Sequence, residues 1–336
     1  MQTDIASDVE AAPIREIRLC SASGMSASVM TWGAALRDLV VPAGAERRRV
    51  VLGFEDPESY RGNPSNLGVI AGRCANRIAG GRFVLDGREY RLPRNEQGRT
   101  HLHGGPRGFA RQPWRLIESG DTRVLLGLTS PDGDQGYPGG VEATCAYSLA
   151  GPATLRVELR ARTAAPTLVN LAQHSYFTLA EGARAQDHIL SIEADACTPA
   201  DAHLIPTGAI AAVAGTDCDF RRPRPIGQAG RSYDLNYALR SGGGELAAAA
   251  RVVAPARDLA MDLWTTEPGL QFYDGANLKP GGAPGIAGQW HGPHAGLCLE
   301  PQRFPDAINH PGFPSPVLRP GEEYLQITEY RFSVPG

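Results

Sequence analysis

Two short stretches of this sequence hold proton-transfer groups in apolar surroundings. In LEPQRFPDAINHPGFPSP, Glu300 follows the apolar run Ala295-Gly296-Leu297-Cys298-Leu299 and precedes Pro301, Pro305, Pro311, Pro314 and Pro316. Each proline removes a backbone donor, which argues against a continued helix or a central strand. The expected arrangement is a buried strand that carries one carboxylate at its end, followed by a rigid loop. An acid placed that way is either satisfied by backbone donors or moves protons. In VNLAQHSYFTL, His174 lies in an apolar stretch just before Tyr176 and Phe177. A core histidine bonded to a carbonyl fits there. So does a general acid, because imidazole titrates near ~6.5.

Other segments add polar groups in the same style. THLHGG sets His101 and His103 two residues apart, on one face if the segment is a strand. Gly104 and Gly105 would let backbone approach a bound molecule closely. A metal pair, a sugar-binding site and a satisfied structural histidine all fit this motif. GRCANRIAGGRF contains Asn76 and Arg77, and a buried arginine there requires an internal carboxylate or a ligand oxygen as partner. SYDLNY supplies Asp234, whose plainer role is to stabilise a turn. LQFYDGANL supplies Gln271 beside Phe272 and Tyr273. There is no phosphate-binding P-loop, no GxSxG motif and no dinucleotide fingerprint. The set suits a small, neutral, many-hydroxyl ligand and acid–base chemistry without cofactor or metal.

The elements that must position these groups read as strands. TLRVELRART alternates Leu155, Val157, Leu159 and Ala161 with charged residues, the signature of a strand with one buried face. RFVLDGREYRL places Asp86-Gly87 between two alternating arms and predicts a hairpin. Further strands are expected at Val50–Phe54, Val124–Thr129, Ala143–Leu149, Ile189–Ala194 and Tyr324–Phe332. Glu245–Arg251 is the one candidate helix, with the preceding GGG favouring a mobile loop instead. Many short strands with Gly/Pro turns and no composition shift predict an all-β fold, one domain of packed antiparallel sheets spanning residues 1–336. The charge is −3 from 33 basic and 36 acidic residues, with no basic block beyond Arg47–Arg49, so nucleic acid is not an expected partner. No apolar run is long enough for a membrane-spanning helix. The N-terminal MQTDIASDVEAAPIREI is acidic and lacks an apolar centre, so it is no secretory signal, and a cytoplasmic location is the default. Six cysteines without a CxxC pair are expected to be reduced.

In order and wording, GVIAGRCANRIAGGRF, THLHGGPRGF, NLAQHSYFTL, TPADAHLIPTG, SYDLNY, QFYDGANL and LEPQRFPDAINHPGFPSPVLRPGEEY resemble the aldose 1-epimerase (galactose mutarotase) family over Gly68 to Tyr330. The resemblance implies a large antiparallel β-sandwich of the galactose-mutarotase type and interconversion of the α and β anomers of free aldohexoses. Carried over position by position, it implies that Glu300 is the catalytic base and His174 the catalytic acid. It implies substrate contacts by Asn76, Arg77, His103, Tyr176, Asp234 and Gln271. Two positions depart from the family pattern: Thr178 stands where Asn is expected, and Ala202-His203 replace a more acidic pair. Both bear on sugar preference rather than on reaction type.

Two other classes compete. A cupin-like metalloenzyme would use His101, His103, a glutamate and a later histidine, yet the nearest following acid is Glu118. A non-catalytic sugar-binding module on the same fold would keep Arg77 and Asp234 but needs neither Glu300 nor His174. A mutarotase for phosphorylated sugars is disfavoured, because Asp234 in the hydroxyl pocket would repel a phosphate. The expected partner is therefore a small aldose, bound by a monomer or homodimer.

Overall fold

The alternation in TLRVELRART becomes a ten-residue strand, Thr154–Thr163, with Leu155, Val157, Leu159 and Ala161 buried. It runs between Val141–Ala150 and Tyr324–Ser333 near the middle of a nine-stranded sheet. The computed structural model describes residues 12–279 and 282–335; most of the N-terminal segment read above lies outside them. A second sheet of six strands has the order Tyr176–Phe177, Leu297–Gln302, Gly269–Tyr273, Asp234–Leu239, Ala194–Thr198 and Ala211–Ala212. A four-stranded sheet from Glu16 to Arg49 packs beside them. Ladders within all three are antiparallel. Leu155 and Val157, Leu299 and Phe272, and Val29 and Leu36 bring all three sheets into one apolar core. This is a large β-sandwich. No α-helix occurs among the described residues, only short 3-10 turns.

The Asp86-Gly87 hairpin forms as expected between Arg82–Leu85 and Arg88–Arg91. Both turn residues have positive φ, 49° and 79°, which matches the right-handed twist of the arms. Three expectations need correction. Val50–Phe54 is buried but makes only isolated bridges, Val51 to Phe177 and Phe54 to Gly285. Gly53 is pressed against the Arg37 carbonyl, where an added Cβ would sit 2.0 Å away, so this run is a wedge between elements. Ile189–Ala194 is not one strand. The chain changes sheets at Glu193, with Ile189–Ile192 in the nine-stranded sheet and Ala194–Thr198 in the six-stranded one. Glu245–Arg251 is neither helix nor free loop, because Ala247–Val253 is a strand between Ile189–Ile192 and Ala260–Thr265. Ladders on both sides override the helical preference of its alanines.

Candidate active site

One face of the six-stranded sheet carries the polar groups. Residues directly opposed across an antiparallel ladder point to the same side. Gln271 opposes both Glu300 and Asn236, while Tyr273 opposes both Cys298 and Asp234. Tyr176 opposes Cys298. All seven side chains therefore share a face. The alternate positions Leu270, Phe272, Leu297 and Leu299 enter the core. This explains the unbroken apolar appearance of Leu297-Cys298-Leu299: both faces of the strand are covered, and only one of them is polar.

Glu300 is not at the strand's end. The strand continues through Pro301 and Gln302, with Pro301 paired to Leu270. The neighbour on the other side, Tyr176–Phe177, reaches only Cys298 and Leu297. At Pro301 the strand thus has one ladder, and the missing N–H interrupts no second one. The loop beyond has its own task. Asp306 N donates to the Arg77 carbonyl at 2.9 Å, and the Asp306 carboxylate accepts from Ala79 N at 3.0 Å. The proline-rich loop thereby clips the Arg77 segment beside the strand that bears Glu300.

Opposite this face stand residues from three loops. The backbone of His174 is fixed by bonds to Val69 and Gly68. Its Nε2 lies 3.8 Å from Glu300 Oε2, and its Nδ1 lies 3.7 Å from Cys298 Sγ. His103 packs edge-to-face on His174 with ring centroids 5.3 Å apart. Asn76 N–H donates to His103 Nδ1 at 3.2 Å, which places the ring proton of neutral His103 on Nε2. Asn76 and His103 both adopt positive φ, 60° and 49°, an uncommon conformation for side-chain-bearing residues that recurs at functional sites. Gly104 makes this loop possible: at φ +82° an added Cβ would lie 1.7 Å from the Gly72 carbonyl oxygen. Its role is close approach to the chain's own backbone, not to a ligand as expected.

His101 does not share His103's surroundings. Its Nδ1 donates to the Pro93 carbonyl at 2.7 Å, and its Nε2 accepts from the Tyr137 hydroxyl at 2.8 Å. It is a fully buried structural histidine. The two histidines of THLHGG therefore do not converge, and the cupin-like reading loses its ligand pair.

Arg77 has an internal partner that sequence reading did not identify. Its Nε and Nη2 each donate to a different Glu96 oxygen at 2.8 Å, and Thr100 Oγ1 adds a third bond to Glu96 at 2.6 Å. The third guanidinium nitrogen, Nη1, lies 3.9 Å from Asp234 Oδ2. Asp234 Oδ1 accepts from Gln271 Nε2 at 2.6 Å. Gln271 Oε1 and Glu300 Oε2 are buried without a hydrogen-bond partner. Tyr176 lines the face but directs its hydroxyl to the Ser65 carbonyl at 3.1 Å.

Electrostatics follow from this burial. Desolvation pushes the Glu300 carboxyl up to about 8, with the charge of Asp234 adding to the rise and Arg77 opposing it. Arg77 does not prevail because Glu96 already neutralises it through two bonds. Desolvation pushes His174 down to about 4. His103 is held well below the usual imidazole range by burial and then by His174. Asp234 is raised by burial, against the pull of Arg77 and Gln271. Near neutral pH the pair therefore keeps its proton on Glu300 and leaves His174 uncharged. Separating two charges among these buried side chains costs more than keeping both groups neutral.

All eight candidates, Glu300, His174, Asn76, Arg77, His103, Tyr176, Asp234 and Gln271, belong to one contiguous cluster of side chains. Glu96, Asn236, Tyr273 and Cys298 join them and were not anticipated. Cys298 was legible as the residue two before Glu300, which in a strand is the same face. Glu96, 19 residues beyond Arg77, carries no local signal.

A model of the aldose 1-epimerase family matches residues 15–331 of this chain. Human galactose mutarotase is 42% identical over 316 residues, covering 91% of this chain and 90% of that protein. Aldose 1-epimerase of Escherichia coli K12 is 38% identical over 333 residues, covering 95% of each. Among solved structures, an aldose epimerase homologue from C. elegans superposes with a TM-score of 0.90 at 26% identity, covering 96% of this chain and 100% of that one. A galactose 1-epimerase from Lactobacillus acidophilus gives 0.83 at 28% identity, covering 96% and 95%.

Proposed function

The chain belongs to the aldose 1-epimerase family, and on that premise we propose that it interconverts the anomers of free aldohexoses such as galactose and glucose, with Glu300 as base and His174 as acid. Ring opening needs a proton removed from O1 and one delivered to the ring oxygen O5. The C1–C2 bond then turns by about half a rotation, and the carbonyl recloses on its other face. The observation that carries the reading is the pair itself: two buried titratable groups 3.8 Å apart, one of them with an unpartnered oxygen. Carboxyl with imidazole, and carboxylate with imidazolium, contain the same single proton. A sugar whose O1–H donates to Glu300 and whose O5 accepts from His174 favours the second form, because each hydrogen bond stabilises the charged partner it needs. The aldehyde closes by the reverse transfers, so the pair returns to its starting state.

Arg77 Nη1, the Asp234 carboxylate, His103 Nε2–H and the Gln271 side chain supply donors and acceptors for the hydroxyls away from C1. Holding the ring there brings C1 and O5 to the catalytic pair. The protein does this as one domain. Among the described residues, no helix is long and apolar enough to cross a membrane.

Polarimetry of freshly dissolved α-D-galactose and α-D-glucose tests the activity. The rotation should decay faster than in buffer, and EDTA should not slow it. A decay no faster than buffer rejects the proposal.

A second expectation concerns pH. The working pair needs one proton. It gains a second as His174 charges near pH 4, and it loses its last as Glu300 ionises near pH 8. After subtraction of the buffer rate, kcat/KM should form a plateau between limbs near those values, since it reports the free enzyme. A rate that keeps climbing well above pH 8 would contradict the shared-proton account.

A further inference from the structure

We propose that His174, Cys298 and Glu300 form an inhibitory binding site for a thiophilic divalent cation of the Zn2+ type, which competes with sugar for the catalytic pair. Cys298 and Glu300 are two residues apart on one strand and project from the same face. His174 meets both from the opposite side, 3.7 Å from the thiol and 3.8 Å from the carboxyl. One ligand atom from each of the three lies within 4.8 Å of the other two, and all three residues are buried. Four-coordinate zinc, with bonds of about 2.0–2.3 Å, holds its ligand atoms about 3.4–3.7 Å apart. The 3.7 Å distance is to Nδ1 of His174 and the 3.8 Å distance to Nε2, so a cation held by either nitrogen keeps one contact near that spacing and draws the third ligand inward from within 4.8 Å. Glu300 Oε2 is buried and has no hydrogen-bond partner of its own.

The ligand types decide which cation fits. Thiolate with imidazole selects Zn2+ and its heavier congener Cd2+, whereas Mg2+ and Ca2+ need oxygen ligands. Charge balance agrees. With thiol and carboxyl protonated the cluster carries no charge, as the burial of all three residues favours. On binding, Cys298 and Glu300 each release their proton to solvent. Two negative ligands and a dication again sum to zero, and a water completes the fourth position. Full occupancy removes both proton-transfer groups at once, so inhibition follows from binding. That consequence rests on the catalytic reading given above, whereas the binding itself does not.

The experiment uses the full chain with Cys20, the exposed thiol, changed to Ser, so that it does not contribute. Titration with CdCl2 should produce the ultraviolet absorption of a cadmium–thiolate bond, and Cys298→Ser should abolish it. Saturating galactose should suppress it. ZnCl2 should slow mutarotation competitively with sugar, MgCl2 and CaCl2 should not, and EDTA should restore the rate. Relative to its own uninhibited rate, the Cys298→Ser protein should need at least ~10-fold more Zn2+ for half inhibition, the loss expected when a coordinating contact is removed. Absence of the cadmium–thiolate band, or a band unchanged in Cys298→Ser, overturns the site. A band that depends on Cys298 in a protein without mutarotase activity would keep the metal site and reject the catalytic reading.

Discussion

Replacing Glu300 by Gln should lower kcat for mutarotation by at least ~10²-fold while the protein stays folded. Gln preserves the shape of the side chain, so the strand and its core face are undisturbed. What is lost is a group that passes between proton donor and acceptor near pH 8. His174→Asn should cost a similar factor, and the double variant should fall far short of the product, because the two act as a unit. Stability provides an independent check with the opposite sign. The folded-state pKa of Glu300 is raised, so the protonated carboxyl contributes stability that is complete below about pH 4.5 and lost as pH climbs through about 8. That displacement corresponds to about 5 kcal/mol at most. Gln is neutral throughout, so the variant should gain on the wild type as pH rises from 5 to 9. Thermal or denaturant unfolding at the two pH values reads this directly. A Gln variant with kcat within a few-fold of wild type removes Glu300 from the mechanism. One that loses stability at pH 9 makes it a structural carboxylate.

Arg77→Ala should damage both binding and stability. The sequence offered two exclusive roles, a sugar ligand or the partner of an internal acid. The structure places Arg77 in the second role with two nitrogens, which leaves Nη1 for the first. Removing the guanidinium strands the half-buried Glu96 and removes a charged donor from beside Asp234. The first effect should cost about 2 kcal/mol, less than the loss of one partner from a fully buried pair, because Glu96 retains some solvent. The second should lower kcat/KM about 10–100-fold, chiefly through KM, since a donor to a remote hydroxyl acts on ground and transition states alike. Glu96→Gln separates the two effects. It weakens the anchor while keeping the guanidinium, and should lower the unfolding midpoint with a smaller rise in KM. If Arg77→Ala lowers the midpoint but leaves kcat/KM unchanged, Arg77 is an anchor only. Equal KM changes in both variants would mean that it acts solely through its pairing with Glu96.

The sequence by itself determined the all-β class, the Asp86-Gly87 turn and the strand at Thr154–Thr163, because each is specified by nearest neighbours: a period of two, or a dipeptide that tolerates positive φ. It also marked all eight residues of the cluster, since polar side chains inside apolar runs are conspicuous and the order of the motifs resembles a known family. Residue order could not supply what depends on contacts across the sheets. That Ala247–Val253 is a strand follows from ladders on both of its sides, not from its alanines. That Glu300 lies within its strand follows from a neighbour too short to reach Pro301. Glu96 becomes the partner of Arg77, and Asp306 the clip of its backbone, only once loops distant in the chain are folded together. The proton of the Glu300–His174 pair is the clearest case. Burial together with the prior neutralisation of Arg77 keeps it on Glu300, and both are properties of the assembled site.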